Sequence, residues 1–427
     1  MTEPSTTPAR PAGDDDRAVL ADFAELSAIG ATDAGGVERQ AATDADARTR
    51  AWLTRWLHDR GFTTTTDRIG NLFGLREWVP GAPYVLVGSH LDSQPRGGRY
   101  DGAYGVLAAA HAAHRADRAF AASGTAPAFN VAVVDWFNEE GSRFKPSMMG
   151  SAVYTGKMDL EEAWAVTDTA GVTVKEALAA IGALGEQDGP RAAFAAEIHI
   201  EQGRILDREG VRIGLVESNW AAHKYQISVL GDQSHTGSTA MEDRRDALLG
   251  AARVIVALRE LADRYPGVLH TSAGQIFVHP NSPVVVAREA QLHLDLRSAD
   301  PDVLQEADAL LDREFAAIEA STGVRIVKTG DHVWPVTPYQ PEGVALARAA
   351  AEELGLSHRP MLTLAGHDST HLKDIVPTVM LFVPSVEGVS HNEREFTRDA
   401  DICAGVDLLT RVVQRLCTGA LDGGRSR

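Results

Sequence analysis

Cysteine is scarce in this chain of 427 residues: there are two, Cys403 and Cys417, both in a stretch that reads as the last helix, Asp401 to Cys417. On a helix, positions that far apart are separated by roughly 21 Å, beyond the reach of a disulfide. Two buried thiols in a reduced, cytoplasmic protein are expected. With so little cysteine there is no thiolate set for a structural zinc site. No run of residues is long and apolar enough to span a bilayer. The first residues, Met1 to Asp16, are rich in Pro, Thr and Asp and lack an apolar core, which predicts a disordered tail and not a signal peptide. Positive charge is also short, with 41 Lys and Arg against 59 Asp and Glu, a formal net charge of −18. That argues against nucleic acid and anionic membranes as partners. Small anionic substrates stay open, because metal and Arg can reverse the field inside a cleft.

The length predicts two domains. A first domain begins near residue 17, is interrupted from 221 to 336, and resumes over 337–420. Inside the interruption the texture changes. His223 to Leu230 alternates with period two, a long amphipathic helix runs from Asp243 to Tyr265, and further strands precede a helix from Pro301 to Thr322. The order β-α-β-β-α-β reads as a small antiparallel α+β domain inserted in the larger one. No internal repeat is visible.

The larger domain is organised around Gly88-Ser-His-Leu-Asp-Ser-Gln-Pro-Arg-Gly-Gly-Arg-Tyr-Asp-Gly102. Tyr84 to Val87 before it is an apolar run of the kind that fills a buried parallel strand. Gly105 to Ala119 after it has helical spacing. The stretch is therefore a loop at the carboxyl end of a strand, where open α/β sheets place ligands. It carries His90, Asp92 and Asp101, with Asp92 placed to orient the far nitrogen of a metal-binding His90.

Two more strand ends carry chemistry. Asn130 to Phe137 is apolar and ends in Asn138-Glu-Glu-Gly141. Adjacent Glu residues are ordinarily solvated surface, but one Glu can hold a metal while its neighbour serves as general base. A third strand, Phe194 to Ile200, carries His199. After the inserted segment, the strand Thr378 to Val383 leads into a loop ending in His391. Together His90, Asp101, Glu139, Glu140, His199 and His391 suffice for two divalent ions sharing a carboxylate, with one Glu to spare as base. Zinc, manganese, nickel and cobalt all suit such donors.

These motifs resemble the M20-type metallohydrolases, in particular the amidase branch of N-carbamoyl-L-amino acid hydrolases, β-ureidopropionases and allantoate amidohydrolases. The resemblance spans about Leu20 to Leu416. It rests on Gly88-Ser-His-Leu-Asp92, Gly97 to Gly102, Glu139 to Phe144, His199-Ile-Glu-Gln-Gly203, Arg244 to Leu248, Gly366-His-Asp368, Val383-Pro-Ser385 and Ser390-His391. It implies an α/β, binuclear-metallopeptidase-like catalytic domain with an inserted ferredoxin-like lid and dimerisation domain. His90, Asp101 and His199 would hold one metal, and Asp101, Glu140 and His391 the other, with Asp101 bridging. Glu139 would be the general base. The exopeptidases of the family have an acidic ligand where this chain has His199, which favours an amidase. Gln202, His235, Asn281 and Arg297 match substrate contacts, with His235 crossing from the partner of a homodimer to hold the oxyanion and Arg297 clamping a carboxylate.

Three departures stand out: Asn138 where a third Glu is usual, Ala240 where Pro is common, and Thr363-Leu-Ala-Gly366 where a Ser-Gly-Ala-Gly is common. Leu364 adds bulk near the substrate. The reaction implied is hydrolysis of a linear amide C–N bond, most simply an N-carbamoyl-L-amino acid to amino acid, carbon dioxide and ammonia. Allantoate hydrolysis, an aminoacylase or dipeptidase of the same fold, and a non-catalytic ligand-binding homologue are the alternatives. His111, His114, His223, His279 and His367 carry no assigned role.

Overall fold

The computed structural model describes residues 13–421. The described residues divide into two units: those up to 217, 338–361 and those from 365 on form one, and residues 218–337 with 362–364 the other. Most of the expected N-terminal tail lies outside the described residues. Asp14, Asp15 and Asp16, which the sequence assigns to that tail, instead form the acidic first turn of the helix Asp14–Ala28, where carboxylates suit the positive end of the helix dipole.

The first unit is built on an eight-stranded sheet. Its centre is parallel: Asn130–Asp135, Tyr84–Ser89, Ala192–Ile200 and Thr378–Val383 lie side by side in that order. Antiparallel strands flank them, the hairpin Thr63–Thr66 and Leu72–Arg76 on one side and Ile213–Asn219 on the other. His358–Thr363 closes that second edge. Side chains alternate across the sheet as the strand period demands. Val85 and Val87 enter the main core while Leu86, between them, enters a second cluster on the opposite face. Both faces are thus covered, which is why these strands read as continuous apolar runs. The main core is filled by the helix Ala103–Ser123, closed by Gly124 in the left-handed conformation, and by the helix Asp399–Cys417. Both cysteines of that last helix are free thiols.

Two strands were not expected. Ile213–Asn219 offers only a short apolar run, and His358–Thr363 contains Pro360. Proline cannot donate to a ladder, and it is tolerated there because the strand lies at the sheet's edge.

The second unit is a four-stranded antiparallel sheet in the order Arg325–Trp334, Ala221–Leu230, Glu289–Ser298, Leu269–His279. With its two long helices the chain order is β-α-β-β-α-β. Burial along Glu289–Ser298 alternates strictly. Its buried set, with Leu292, Leu294 and Leu296, packs with residues of the helices Ala247–Arg264 and Pro301–Thr322 in one core. The latter helix carries clear start and stop signals: Asp300 caps its first turn, Pro301 opens it and left-handed Gly323 ends it. Among the described residues no helix is long and apolar enough to cross a membrane.

Candidate metal and catalytic site

The four parallel strands deliver their following loops to one edge of the sheet. The chain passes from Tyr84–Ser89 to a neighbour on one side, Asn130–Asp135, and later to Ala192–Ile200 on the other. Such a reversal leaves a crevice at the carboxyl ends, and the candidate residues of the first unit meet there.

His90, one residue beyond its strand, is buried, and its Nδ1–H donates to the main-chain carbonyl of Asp92 at 3.0 Å. The tautomer this sets turns Nε2 inward, 3.7 Å from Asp101 Oδ1 and 3.4 Å from Glu139 Oε2. His199, at the end of its own strand, donates from Nδ1 to the Ile200 carbonyl at 2.9 Å, and its Nε2 lies 3.1 Å from the same Asp101 Oδ1. The other oxygen of Asp101, Oδ2, faces His391 Nε2 at 3.2 Å, and that nitrogen lies 3.5 Å from Glu140 Oε2. Two triads result: His90, Asp101 and His199, fully buried, and Asp101, Glu140 and His391, opening to solvent at His391. In each, the donor atoms lie within 4.8 Å of one another.

Gly102 makes the first triad possible. Its φ is +63°, and a Cβ there would lie 2.4 Å from the His90 ring. Backbone strain marks the same edge, since Asn138, Gln202 and His391 all have positive φ without being glycine.

Asp92 does something other than expected. Its carboxylate Oδ1 stands 3.5 Å from His90 Nδ1, and it is the Asp92 main-chain carbonyl that takes the imidazole proton. The carboxylate instead accepts the main-chain N–H groups of Glu139 at 3.1 Å and Glu140 at 3.2 Å. The reason is reach: the loop turns at Leu91, whose N–H is held by Asp135 at 2.9 Å. Asp135 in turn pairs with buried Arg50 at 2.8 Å.

The electrostatics are those of a site built for cations. Burial pushes Glu139 up, and neighbouring Asp368 and Glu140 push it further, well above the usual carboxylate range against the pull of His90. Burial beside Asp101 raises Glu140 to about 7. Burial would lower His391, but hydrogen bonding to Asp101 and the charge of Glu140 overcome this and raise it to about 9. Asp101 goes the other way: burial disfavours its charge, yet the two imidazoles hold it well below its ordinary value. Protons thus occupy positions where imidazole and carboxylate lone pairs converge. The donor set, three imidazoles and two carboxylates with no thiolate, fits divalent metal ions.

Gln202 also lies here. Its Nε2 donates to Asp101 Oδ2 at 2.9 Å, leaving its buried Oε1 without a partner. The remaining predicted contacts, His235, Asn281 and Arg297, lie in the second unit. His235 Nδ1 accepts the N–H groups of Gly237 and Ser238 at 2.9 and 3.1 Å, so the ring proton is on Nε2. Asn281 has φ +52°. Arg297 gives Nε and Nη2 to the two oxygens of Asp295, at 2.8 and 2.7 Å, and Nη1 to the Leu364 carbonyl at 2.6 Å. The side chain is thereby aimed and only partly engaged, since a guanidinium has five N–H donors.

Sequence reasoning assigned no role to several residues of the site. Gln94 donates its main-chain N–H and its Nε2 to the carboxylate oxygens of Glu140 at 3.1 and 2.8 Å. Ser390 and Glu395 reach the bridging Asp101 and its loop. All three are neutral or acidic residues in loops, with only their proximity to His90 and His391 as a signal.

A family model described as peptidase family M20/M25/M40 matches residues 86–415. A protein of Mycolicibacterium smegmatis named only as a hydrolase is 62% identical over 413 residues, covering 95% of this chain and 94% of the relative. An N-carbamoyl-L-amino-acid amidohydrolase of Rhizobium meliloti is 36% identical, covering 91% and 93%. Among solved structures, an amidase of the hydantoinase/carbamoylase family from Burkholderia vietnamiensis superposes with a TM-score of 0.88 at 38% identity, covering 94% of this chain and 97% of that one.

Proposed function

We propose that this chain, which belongs to peptidase family M20/M25/M40, hydrolyses the carbamoyl C–N bond of N-carbamoyl-L-amino acids. It is a hydrolase of C–N bonds outside peptides, an amidohydrolase of the carbamoylase/allantoate type. The choice of an N-carbamoyl-L-amino acid as substrate is our reading.

His90, Asp101 and His199 would hold one divalent ion, and Asp101, Glu140 and His391 a second. When bound, such ions polarise a carbonyl and make water more acidic. Glu139 is the carboxylate left over once both triads are counted, and that surplus carries the proposal. Its oxygen Oε2 takes the proton from the attacking water and returns it to the leaving nitrogen. A ligand-binding protein has no use for such a base. Gln202 offers its unpartnered Oε1 to a ureido N–H. Arg297, held in place by Asp295, takes the substrate carboxylate through the donors left to it, and Asn281 contributes an amide. His235 donates from Nε2 to the developing oxyanion.

His235 acts from the partner subunit of a homodimer joined through the second unit. The support is an apolar surface: Leu248, Leu249, Ile255 and Val256 are exposed along one helix, and Ile276 and Phe277 on the edge strand Leu269–His279. An exposed apolar edge of that length needs cover.

The test is ammonia release from a panel of N-carbamoyl-L-amino acids, N-carbamoyl-β-alanine and allantoate with added zinc, manganese, nickel or cobalt. Release from the carbamoyl-L-amino acids above the others supports the reading. Preference for allantoate, or no release with metals bound, overturns it.

A further inference from the structure

Outside the two triads, one buried carboxylate touches the loops that carry both of them. Glu395, 4% exposed, accepts the consecutive main-chain N–H groups of Tyr100 and Asp101 on the same oxygen, Oε1, each at 3.0 Å. Its other oxygen, Oε2, accepts the Ser390 hydroxyl at 2.9 Å. Ser390 Oγ also lies 3.3 Å from Asp101 Oδ2, and Ser390 immediately precedes His391. One side chain therefore fixes the backbone of the bridging Asp101 and, through Ser390, the neighbour of the outer imidazole.

The surroundings are shaped to admit it. A Cβ on Gly98 would lie 2.0 Å from Glu395 Oε1, so the loop before Asp101 has a glycine where the carboxylate enters. Glu395 is itself held: its N–H donates to the Asn392 carbonyl at 2.9 Å, and the loop is closed by Val386 N–H on the Phe396 carbonyl at 2.9 Å and by Thr397 Oγ1 on the Pro384 carbonyl at 2.9 Å. His391 stands between these ties with φ +52°, a conformation that a surrounding lattice of bonds must maintain.

We propose that Glu395 is a positioning residue that holds Asp101 and His391 in register, so that one carboxylate can serve both ion sites. It makes no bond to an ion in this role and acts only through Asp101 and Ser390. The inference rests on the metal reading above. It predicts that losing the acceptor weakens metal binding about 10- to 100-fold, the usual effect of removing a group that orients ligands. Restoring the acceptor without its charge should restore binding, because a glutamine Oε1 can still take both main-chain N–H groups and its amide can donate to Ser390.

The experiment is calorimetric titration of Mn2+ into the full-length chain after chelation, for the native protein, Glu395→Ala, Glu395→Gln and Glu395→Asp, with the thermal midpoint of each metal-free form measured alongside. The expected result is a 10- to 100-fold weaker Kd in Glu395→Ala and Glu395→Asp, with Glu395→Gln within about threefold of native. The aspartate is one methylene too short to reach the two amides and Ser390 together and decides the matter should the alanine variant not fold. A native protein that takes up no Mn2+ overturns the metal reading itself. Native-like affinity in the folded alanine or aspartate variant, or a glutamine variant as weak as alanine, overturns the positioning role alone.

Discussion

The carboxylate of Asp92 accepts the main-chain N–H of Glu139 at 3.1 Å on one oxygen while its other oxygen takes the N–H of Glu140. Asp92 therefore aims the pair of glutamates as well as lying beside His90. The loop after one strand sets the end of the next. The two sequence motifs that carry the chemistry are in this way one mechanical unit.

Asp92→Asn tests that coupling. An asparagine keeps the shape but turns one acceptor into a donor, so one of the two glutamate N–H groups loses its partner. We expect kcat/KM for ammonia release to fall about 10- to 100-fold while the thermal midpoint stays close to native. An unchanged rate would mean that the glutamates hold their positions without Asp92.

Metal affinity should depend on pH with a definite sign. Burial beside Asp101 raises Glu140 to about 7, and His391 is raised to about 9 because its contacts with Asp101 and Glu140 outweigh burial. Both therefore hold protons in the metal-free protein that an ion must displace. Binding should release protons, and apparent affinity should climb between pH 6 and 9 and then level. The same two shifts make the metal-free protein lose stability as pH rises, since each group binds its proton more tightly folded than unfolded. Titrations of Mn2+ at a series of pH values read the first effect directly. An affinity independent of pH would contradict the assignment of these two groups as ligands.

Asp135→Ala should cost stability first. It removes the partner of Arg50, whose side chain is 8% exposed, and the acceptor of the Leu91 N–H. Arg50 keeps the Gly70 carbonyl but loses its ion-pair partner, and breaking a buried pair from one side costs about 3 to 5 kcal/mol, readable as a lower midpoint in urea. A loss under about 1 kcal/mol would mean that water reaches Arg50.

Arg297→Lys separates binding from chemistry. Lysine cannot hold the two oxygens of Asp295 and the Leu364 carbonyl while still offering a planar pair of donors to a substrate carboxylate. KM should rise about 10- to 100-fold, the worth of a charge-assisted pair, with kcat little changed. A fall in kcat alone would place Arg297 elsewhere in the reaction.

What the sequence disclosed was whatever is local. Buried parallel strands announce themselves as apolar runs, so the loops after them, with His90, Glu139, Glu140, His199 and His391, could be found and assembled by the logic of the sheet. Contacts made by residues with no recognised chemical role could not. Gln94 meets Glu140 across 46 positions, and Glu395 meets Asp101 across 294. Gln94 sits four positions after His90 and Glu395 four after His391, but neither residue type announces a role there. The strands at one side of the sheet were the other blind spot: Ile213–Asn219 offers only a short apolar run, and His358–Thr363, at the edge, has one neighbour and contains Pro360. The orientation of Asp92 was misjudged for a related reason. Spacing placed it next to His90, but the direction of its carboxylate depends on main-chain N–H groups contributed from Glu139 and Glu140.

The most direct measurement compares Glu139→Gln with the native chain, each loaded with the same ion and supplied with an N-carbamoyl-L-amino acid. The account predicts unchanged metal content by elemental analysis and ammonia release lowered about 10²- to 10⁴-fold, the share a positioned base contributes. It also predicts that chelation abolishes release in the native chain and that added ion restores it. Native-like release from the fully loaded glutamine variant would contradict Glu139 as the base, and with it the mechanism argued from the surplus carboxylate.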